Sequence, residues 1–218
     1  MIDLHTHSLF SDGDLLPSEL ARRAVVKGYE VLAITDHVDA SNAGTVILAL
    51  AAAAASINRS MKIRVIPGCE ITHVAPSDIP ALAAACRKFG ARIIVVHGET
   101  LVEPVAEGTN RSALESDIDI LAHPGILAGE DAEIAARRGI AVEVSARGGH
   151  CFGNGGVVRL WYEHRFPLVV NTDTHQPGDL IDDVFSRRLL IASGLAPGDT
   201  DAVLKDNRAF AFRVLDRG

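Results

Sequence analysis

Seven short runs rich in isoleucine and valine recur along this chain at intervals of roughly one helix plus two turns, a spacing typical of strand–helix repeats. They are Met1–Leu4, Val31–Thr35, Ile63–Pro67, Ile93–Val96, Ile118–Ala122, Ala141–Val144 and Leu168–Asn171. Being apolar at both parities, they suit parallel strands buried on both faces. Helix-like segments lie between and after them, at 17–28, 42–58, 78–89, 110–116, 130–138, 155–164 and 179–193. Pro17, followed by Ser18 and Glu19, opens the first of these, and Gly28, Gly90 and Gly139 each close one. Such a series predicts a parallel barrel or an open doubly wound sheet. No Gly-x-Gly-x-x-Gly follows the first run, and polar residues recur where the runs end. A seven-stranded, TIM-like (β/α)7 barrel is therefore the expected α/β fold, because a barrel brings side chains from several strand ends to one face.

A length of 218 residues fits one domain over 1–218. The net charge of −7 argues against a long nucleic-acid partner held by a basic surface. It leaves room for a small phosphorylated one, because bound cations would reverse the local sign. Cys69, Cys86 and Cys151 are scattered and odd in number, as expected of reduced thiols in a cytoplasmic protein. The amino terminus shows no signal pattern, and the alanine-rich stretch at 49–55 is short of a membrane span. The expectation is a cytoplasmic chain with no membrane partner.

The histidines and acids carry the chemistry. His5 and His7 end the first run two residues apart, on one side of an extended chain. Asp12 follows in a Ser-Asp-Gly turn. Asp36 and His37 end the second run, Glu70 follows the third, and His97 and His123 end the fourth and fifth; Asp173 and His175 follow the seventh. A single histidine at a strand end is ordinarily a hydrogen-bonded structural residue. Six of them gathered with three carboxylates would cost several kcal/mol if buried without cations. Imidazole with carboxylate and no thiolate suits zinc, manganese or iron, and such a cluster suits phosphoryl transfer to water.

These motifs resemble the polymerase and histidinol phosphatase (PHP) superfamily. The matching stretches are Asp3-Leu-His-Thr-His-Ser8 with Ser11-Asp-Gly13, Ile34-Thr-Asp-His37, Pro67-Gly-Cys-Glu70, the His97 strand end, Leu121-Ala-His-Pro-Gly125 and Asn171-Thr-Asp-Thr-His175. The resemblance implies a distorted barrel holding three divalent ions. His5, His7, Glu70 and Asp173 would hold the first. Glu70 would bridge to a second, completed by His97 and His123, and Asp12, His37 and His175 would hold the third. Asp36 reads as a supporting residue.

Asp173, His175 and Arg147 are the expected catalytic residues, with Arg147, after Glu143-Val-Ser145, orienting phosphate by its guanidinium. Arg111 and His150 are further substrate-binding candidates, and the segment from Gly98 to Arg111 is a candidate lid. His73 is a weaker rim candidate, Arg159 reads as a helix-face residue, and His164 as an ordinary helix-end histidine. The expected reaction is hydrolysis of a small phosphomonoester, histidinol phosphate or a nucleotide, through a metal-bridging hydroxide. The alternatives are a metal-dependent amidohydrolase, a metal-stabilised binding module and a metal-free structural cluster. No lysine is well placed to serve as the carboxylated bridge that an amidohydrolase typically needs. Phe210 and Phe212 are expected to seal the barrel base or an interface.

Overall fold

The inward and outward parities of the strands separate cleanly in the computed structural model, which describes residues 1–217. The strands are β1 (Ile2–Asp3), β2 (Val31–Ile34), β3 (His37–Val38), β4 (Arg64–Ile71), β5 (Ile93–His97), β6 (Ile120–Ala122), β7 (Ala141–Ser145) and β8 (Leu168–Asn171). All pair in parallel in the order β1-β2-β4-β5-β6-β7-β8, and β3 continues the β2 stave along β4. An isolated parallel bridge between Thr6 and Thr174 nearly closes the ring. Across that seam His7 N donates to the Thr174 carbonyl at 2.8 Å and Asp173 N to the His5 carbonyl at 3.0 Å. The fold is thus the expected α/β architecture, a distorted TIM-like barrel of seven parallel staves.

Val31, Ala33, Ile66, Ile93, Val95, Ile120, Ala141 and Val169 fill the barrel interior. Their neighbours one residue along, such as Leu32, Val65, Ile94, Leu121, Val142 and Val170, pack outward against the helices. Each such valine, leucine or isoleucine contributes about 1.5–3 kcal/mol through its burial. The helices are α1 (Pro17–Val26), α2 (Ala43–Ser60), α3 (Ile79–Phe89), α4 (Thr109–Glu115), α5 (Gly129–Arg138), α6 (Asn154–His164), α7 (Asp183–Ala192) and α8 (Thr200–Leu215).

Four elements depart from the sequence reading. The run at 63–67 does not end at Pro67. β4 passes through it, pairing with β2 up to Pro67 and with β5 from Gly68 onward, so the proline falls where the partner changes. The helix expected at 179–193 starts later, because the Asp182 carboxylate accepts from Phe185 N at 2.7 Å and caps it. α8 lies in a stretch where no helix was expected. Its buried stripe, Val203, Asn207, Phe210, Ala211 and Val214, has a polar member, and Asn207 faces the backbone of Leu168 and Val170 in β8. Phe210 joins the interior cluster at the barrel base, whereas Phe212 is partly exposed beneath the Arg208 guanidinium. Finally, α2 is the helix expected at 42–58, but taken as a whole it is longer and more apolar than its short alanine run, which alone falls short of a membrane span. Its 18 residues have a mean hydropathy of 1.3, enough by length and composition to cross a membrane. Val46, Ile47, Leu50, Ala54 and Ile57 form its buried face, part of the helix–strand core.

Candidate metal centre

The inward parity that places Ile66 in the core carries Glu70 to the carboxyl-terminal mouth of the barrel, and the same logic delivers His97 from β5 and Glu143 from β7. His5 and His7 follow β1, and Asp173 and His175 follow β8 on the other side of the seam. Asp12 reaches the mouth from the turn that starts at Ser8. Gly13 is required there, because a Cβ at that position would sit 2.4 Å from the His7 carbonyl oxygen. Asp36 fixes the base of this turn, accepting from Ser8 N (2.8 Å), Ser8 Oγ (2.7 Å) and Ser11 Oγ (2.7 Å). Two of the gathered residues, His123 (φ 26°) and Asp173 (φ 52°), have left-handed backbones, a local strain that the surrounding packing must hold.

Glu70 stands at the centre, fully buried. Its carboxylate lies 3.3 Å from His5 Nε2, 3.6 Å from His7 Nε2, 2.8 Å from His37 Nδ1 and 3.5 Å from His123 Nε2. Asp173 Oδ1 is 3.2 Å from His7 Nε2, and Asp12 Oδ1 is 3.4 Å from His37 Nε2 and 3.1 Å from His175 Nε2. Most of these separations exceed a charged hydrogen bond of about 2.8 Å. They fit instead the edges of a coordination shell whose ligand bonds are about 2.0–2.2 Å. Glu143, which the sequence reading passed over, accepts from His5 Nδ1 at 2.8 Å and from Asn171 Nδ2 at 2.9 Å. With the Nδ1 proton committed to Glu143, Nε2 of His5 faces an oxygen of Glu70, and the two lone pairs would repel if that nitrogen were bare. A positive charge between them removes the repulsion.

The buried atoms without hydrogen-bond partners make the same point. They include His5 Nε2, both ring nitrogens of His7, both oxygens of Glu70, His123 Nδ1 and Glu143 Oε1. Buried polar groups are ordinarily satisfied, and seven in one cluster are a donor set that fits divalent cations. Groups of three or four ligand atoms close enough to share an ion are His7–Asp12–His37–His175, His5–His7–Glu70, His5–His123–Asp173, His97–His123–His150 and His73–His97–Glu103.

The fields inside the cluster follow its geometry. Burial presses His5 toward neutrality, but Glu70, Glu143 and Asp173 outweigh it and hold its pKa well above the usual value. Burial, reinforced by the imidazoles of His37 and His5, holds His7 well below it. Burial alone would raise Glu70, yet His5 and His37 keep it well below the carboxylate range. Burial raises Asp173 to about 6 and is the leading cause that lowers both His97 and His150 to about 4.

The cluster opens on a cavity of about 460 Å³ lined by Asp12, His37, His73, His97, Glu103, Arg147, His150, Asp173 and His175, among others. Arg147 folds over its floor, donating to the Asp173 carbonyl at 3.1 Å and contacting His175. His150 lies at the wall with Nδ1 2.9 Å from Thr100 Oγ1. Arg111 is a correction. It does not line the cavity but pairs with Asp131 and Glu130 on α5, its guanidinium neutralised on the outer surface. Arg159 is likewise paired with Glu163 on the exposed side of α6, one residue before the half-buried His164. Glu103, on the segment after β5, was not singled out in the sequence and lies against His73, His97 and His150.

A parallel barrel with a histidine–carboxylate donor cluster at its strand ends defines a metal-dependent hydrolase. Residues 3–145 match the model of the PHP domain, and the chain belongs to that family. It is 44% identical to an uncharacterised protein of Methanocaldococcus jannaschii, over 93% of this chain and 94% of that one. A 5'-3' exoribonuclease of Escherichia coli is 42% identical over 73 residues, which are 33% of this chain and 22% of that protein. Among solved structures, a chain of archaeal ribonuclease P with mature tRNA superposes with a TM-score of 0.76 at 16% identity, covering 100% of this chain and 94% of that chain. A putative histidinol phosphatase of Listeria monocytogenes gives a TM-score of 0.63 at 12% identity, covering 85% of this chain and 99% of that one. At these identities both structures speak for the fold alone.

Proposed function

We propose that this chain is a cytoplasmic phosphatase that hydrolyses a small phosphomonoester with three divalent ions of manganese, zinc or iron. The observation that carries the reading is the set of orphaned donors around Glu70, opening directly on a cavity whose floor holds an arginine. His5, His7, Glu70 and Asp173 would hold one ion, Glu70 with His97 and His123 a second, and Asp12, His37 and His175 a third. Bound there, such ions would activate water and neutralise phosphoryl oxygens. The protein's own part is positioning. Glu143 fixes the tautomer and direction of His5, and the Ser8–Ser11 turn seated on Asp36 presents Asp12. Arg147, half-buried beside Asp173 and His175, is placed to donate to a phosphoryl oxygen and orient the ester.

Size and charge favour a small ester. A cavity of about 460 Å³ suits a substrate of nucleotide dimensions or less. Asp12, Asp39, Glu103 and Asp173 line it beside Arg147, so a phosphate would meet net repulsion unless cations came first. The overall charge of −7 disfavours a long nucleic acid. The test is phosphate release from a panel of histidinol phosphate, nucleoside mono- and bisphosphates and phosphodiesters, with manganese, zinc or iron supplied. Turnover abolished by chelator and restored by metal supports the reading. Folded, metal-loaded protein that is silent on every ester rejects it.

A further inference from the structure

Three imidazoles converge on the carboxylate of Glu103 from three different strand ends. His97 Nε2 lies 3.2 Å and His73 Nε2 3.1 Å from Oε2, and His150 Nε2 lies 3.3 Å from Oε1. The partners on the far sides of two of these rings are fixed. His97 Nδ1 sits 3.1 Å from the Gly98 carbonyl oxygen, which can only accept, so that nitrogen carries the proton. His150 Nδ1 is engaged by the Thr100 hydroxyl at 2.9 Å. A neutral His97 then aims the lone pair of Nε2 at Glu103, and a lone pair facing a carboxylate oxygen is repulsive unless a positive charge lies between. Contacts of 3.2 and 3.3 Å are long for charged hydrogen bonds. They match the donor–donor edge, about 3.0–3.5 Å, of a shell with ligand bonds near 2.0–2.2 Å. Ring nitrogens of His97, His123 and His150 also lie within 4.8 Å of one another.

The backbone is built to bring Glu103 there. The foot of its loop is clamped by Asn110, whose Oδ1 accepts from Glu99 N at 3.0 Å and whose Nδ2 donates to the Pro124 carbonyl at 2.9 Å. Glu99 returns the bond, accepting from Asn110 N at 2.9 Å. Val102 leans on Gly149, so the loop rests on the segment that carries His150.

Resting on the metal-dependent reading of the cavity, we propose that Glu103 and His150 are ligands of the cation shared by His97 and His123, and that phosphate must displace Glu103 to reach it. With Glu70, His97 and His123, these two ligands bring the shell to three imidazoles and two carboxylates, more than the usual four of a closed site, which leaves no position for substrate. His97, His123 and His150 are 2–5 % exposed, whereas the Glu103 side chain is 36 % exposed on a surface loop. Glu103 is therefore the ligand that lets go, and the loop acts as a lid latched by the metal.

The measurement is the release of zinc from the fully loaded protein to a chromophoric chelator. It compares wild type, Glu103→Gln, His150→Gln and, as a control on the same loop, Glu107→Gln. In both ligand variants one ion per chain leaves at least ~10-fold faster than in wild type, the remaining ions and the control being unchanged. Inorganic phosphate, titrated by calorimetry into the loaded proteins, binds Glu103→Gln ~10-fold or more tighter than wild type, because no carboxylate has to be displaced. Release curves that superimpose on wild type overturn the ligand assignment and leave the proposed function standing. A wild-type chain that takes up no divalent ion removes both. Circular dichroism and melting of each variant separate ligand loss from misfolding.

Discussion

Asp119, just before β6 at the lower end of the barrel, and Glu70, at the upper end of β4, are about equally removed from water, at 4% and 0% exposure. Their surroundings differ. Asp119 accepts from Arg87 Nη2 at 2.6 Å and from Ile94 N at 2.8 Å, and its other oxygen meets Arg217. Glu70 faces only imidazoles, and neither of its oxygens is satisfied by hydrogen bonding. The lower end neutralises its buried charge with the chain's own cations. The upper end leaves its charge to be completed from outside, which marks a site for metal ions.

Substitutions at the two ends should therefore separate activity from stability. The largest effect is expected at the upper end. His7→Ala or Asp173→Ala should reduce phosphate release by well over the ~100-fold that loss of a mere supporting partner costs, while the metal-free proteins melt near wild type. Near-wild-type turnover in either variant would break the comparison from above. At the lower end, Asp119→Ala strands Arg87 and the buried Ile94 amide and should cost about 2–3 kcal/mol in urea unfolding, with metal content unchanged. A loss of bound metal there would show that the ends are coupled. Glu143→Gln lies between the two, since it keeps the fold but weakens the hold on His5. It should cost ~10–100-fold in metal affinity, read by competition with a chelator.

The smallest effect concerns Tyr29, whose hydroxyl donates to the Ile181 carbonyl at 3.0 Å near the lower end. Burial is the main cause that raises its folded-state pKa above the ordinary value. The stabilising effect of the neutral phenol is thus complete below about pH 10, where both states are protonated, and is lost as pH rises and the unfolded chain ionises first. Tyr29→Phe should cost about 1 kcal/mol at neutral pH and make the alkaline decline in stability shallower, as followed by thermal melts across pH 8–11.

The staves and most helices were legible because short apolar runs of mixed parity leave few other folds. The donors at the strand ends were legible because histidine and acid recur at one phase of the repeat. Glu143 could have been found the same way, since an acid inside Val142-Glu-Val-Ser145 is a buried charge that needs a partner. Glu103 could not, because nothing in a loop without periodicity tells which residue folds back over the mouth. Arg111 misled for a related reason. An arginine beside a glycine-rich turn looks free in sequence, and only the packing of α4 on α5 brings Glu130 and Asp131 to it. α8 was missed because Asn207 interrupts its apolar stripe, and the backbone groups of β8 that accommodate Asn207 are visible only once the barrel is assembled.

The seam between the first and last staves has a consequence for how the chain matures. Residues on either side of it, His5 and His7 on one and Asp173 and His175 on the other, belong to the same donor cluster, yet some 170 residues separate them along the chain. During synthesis the earliest ligands wait, unable to form a complete centre, until almost four-fifths of the polypeptide has emerged. Completing the donor set and closing the ring are thus the same structural step. A truncated or stalled product lacking the last stave would lack a working site from the outset.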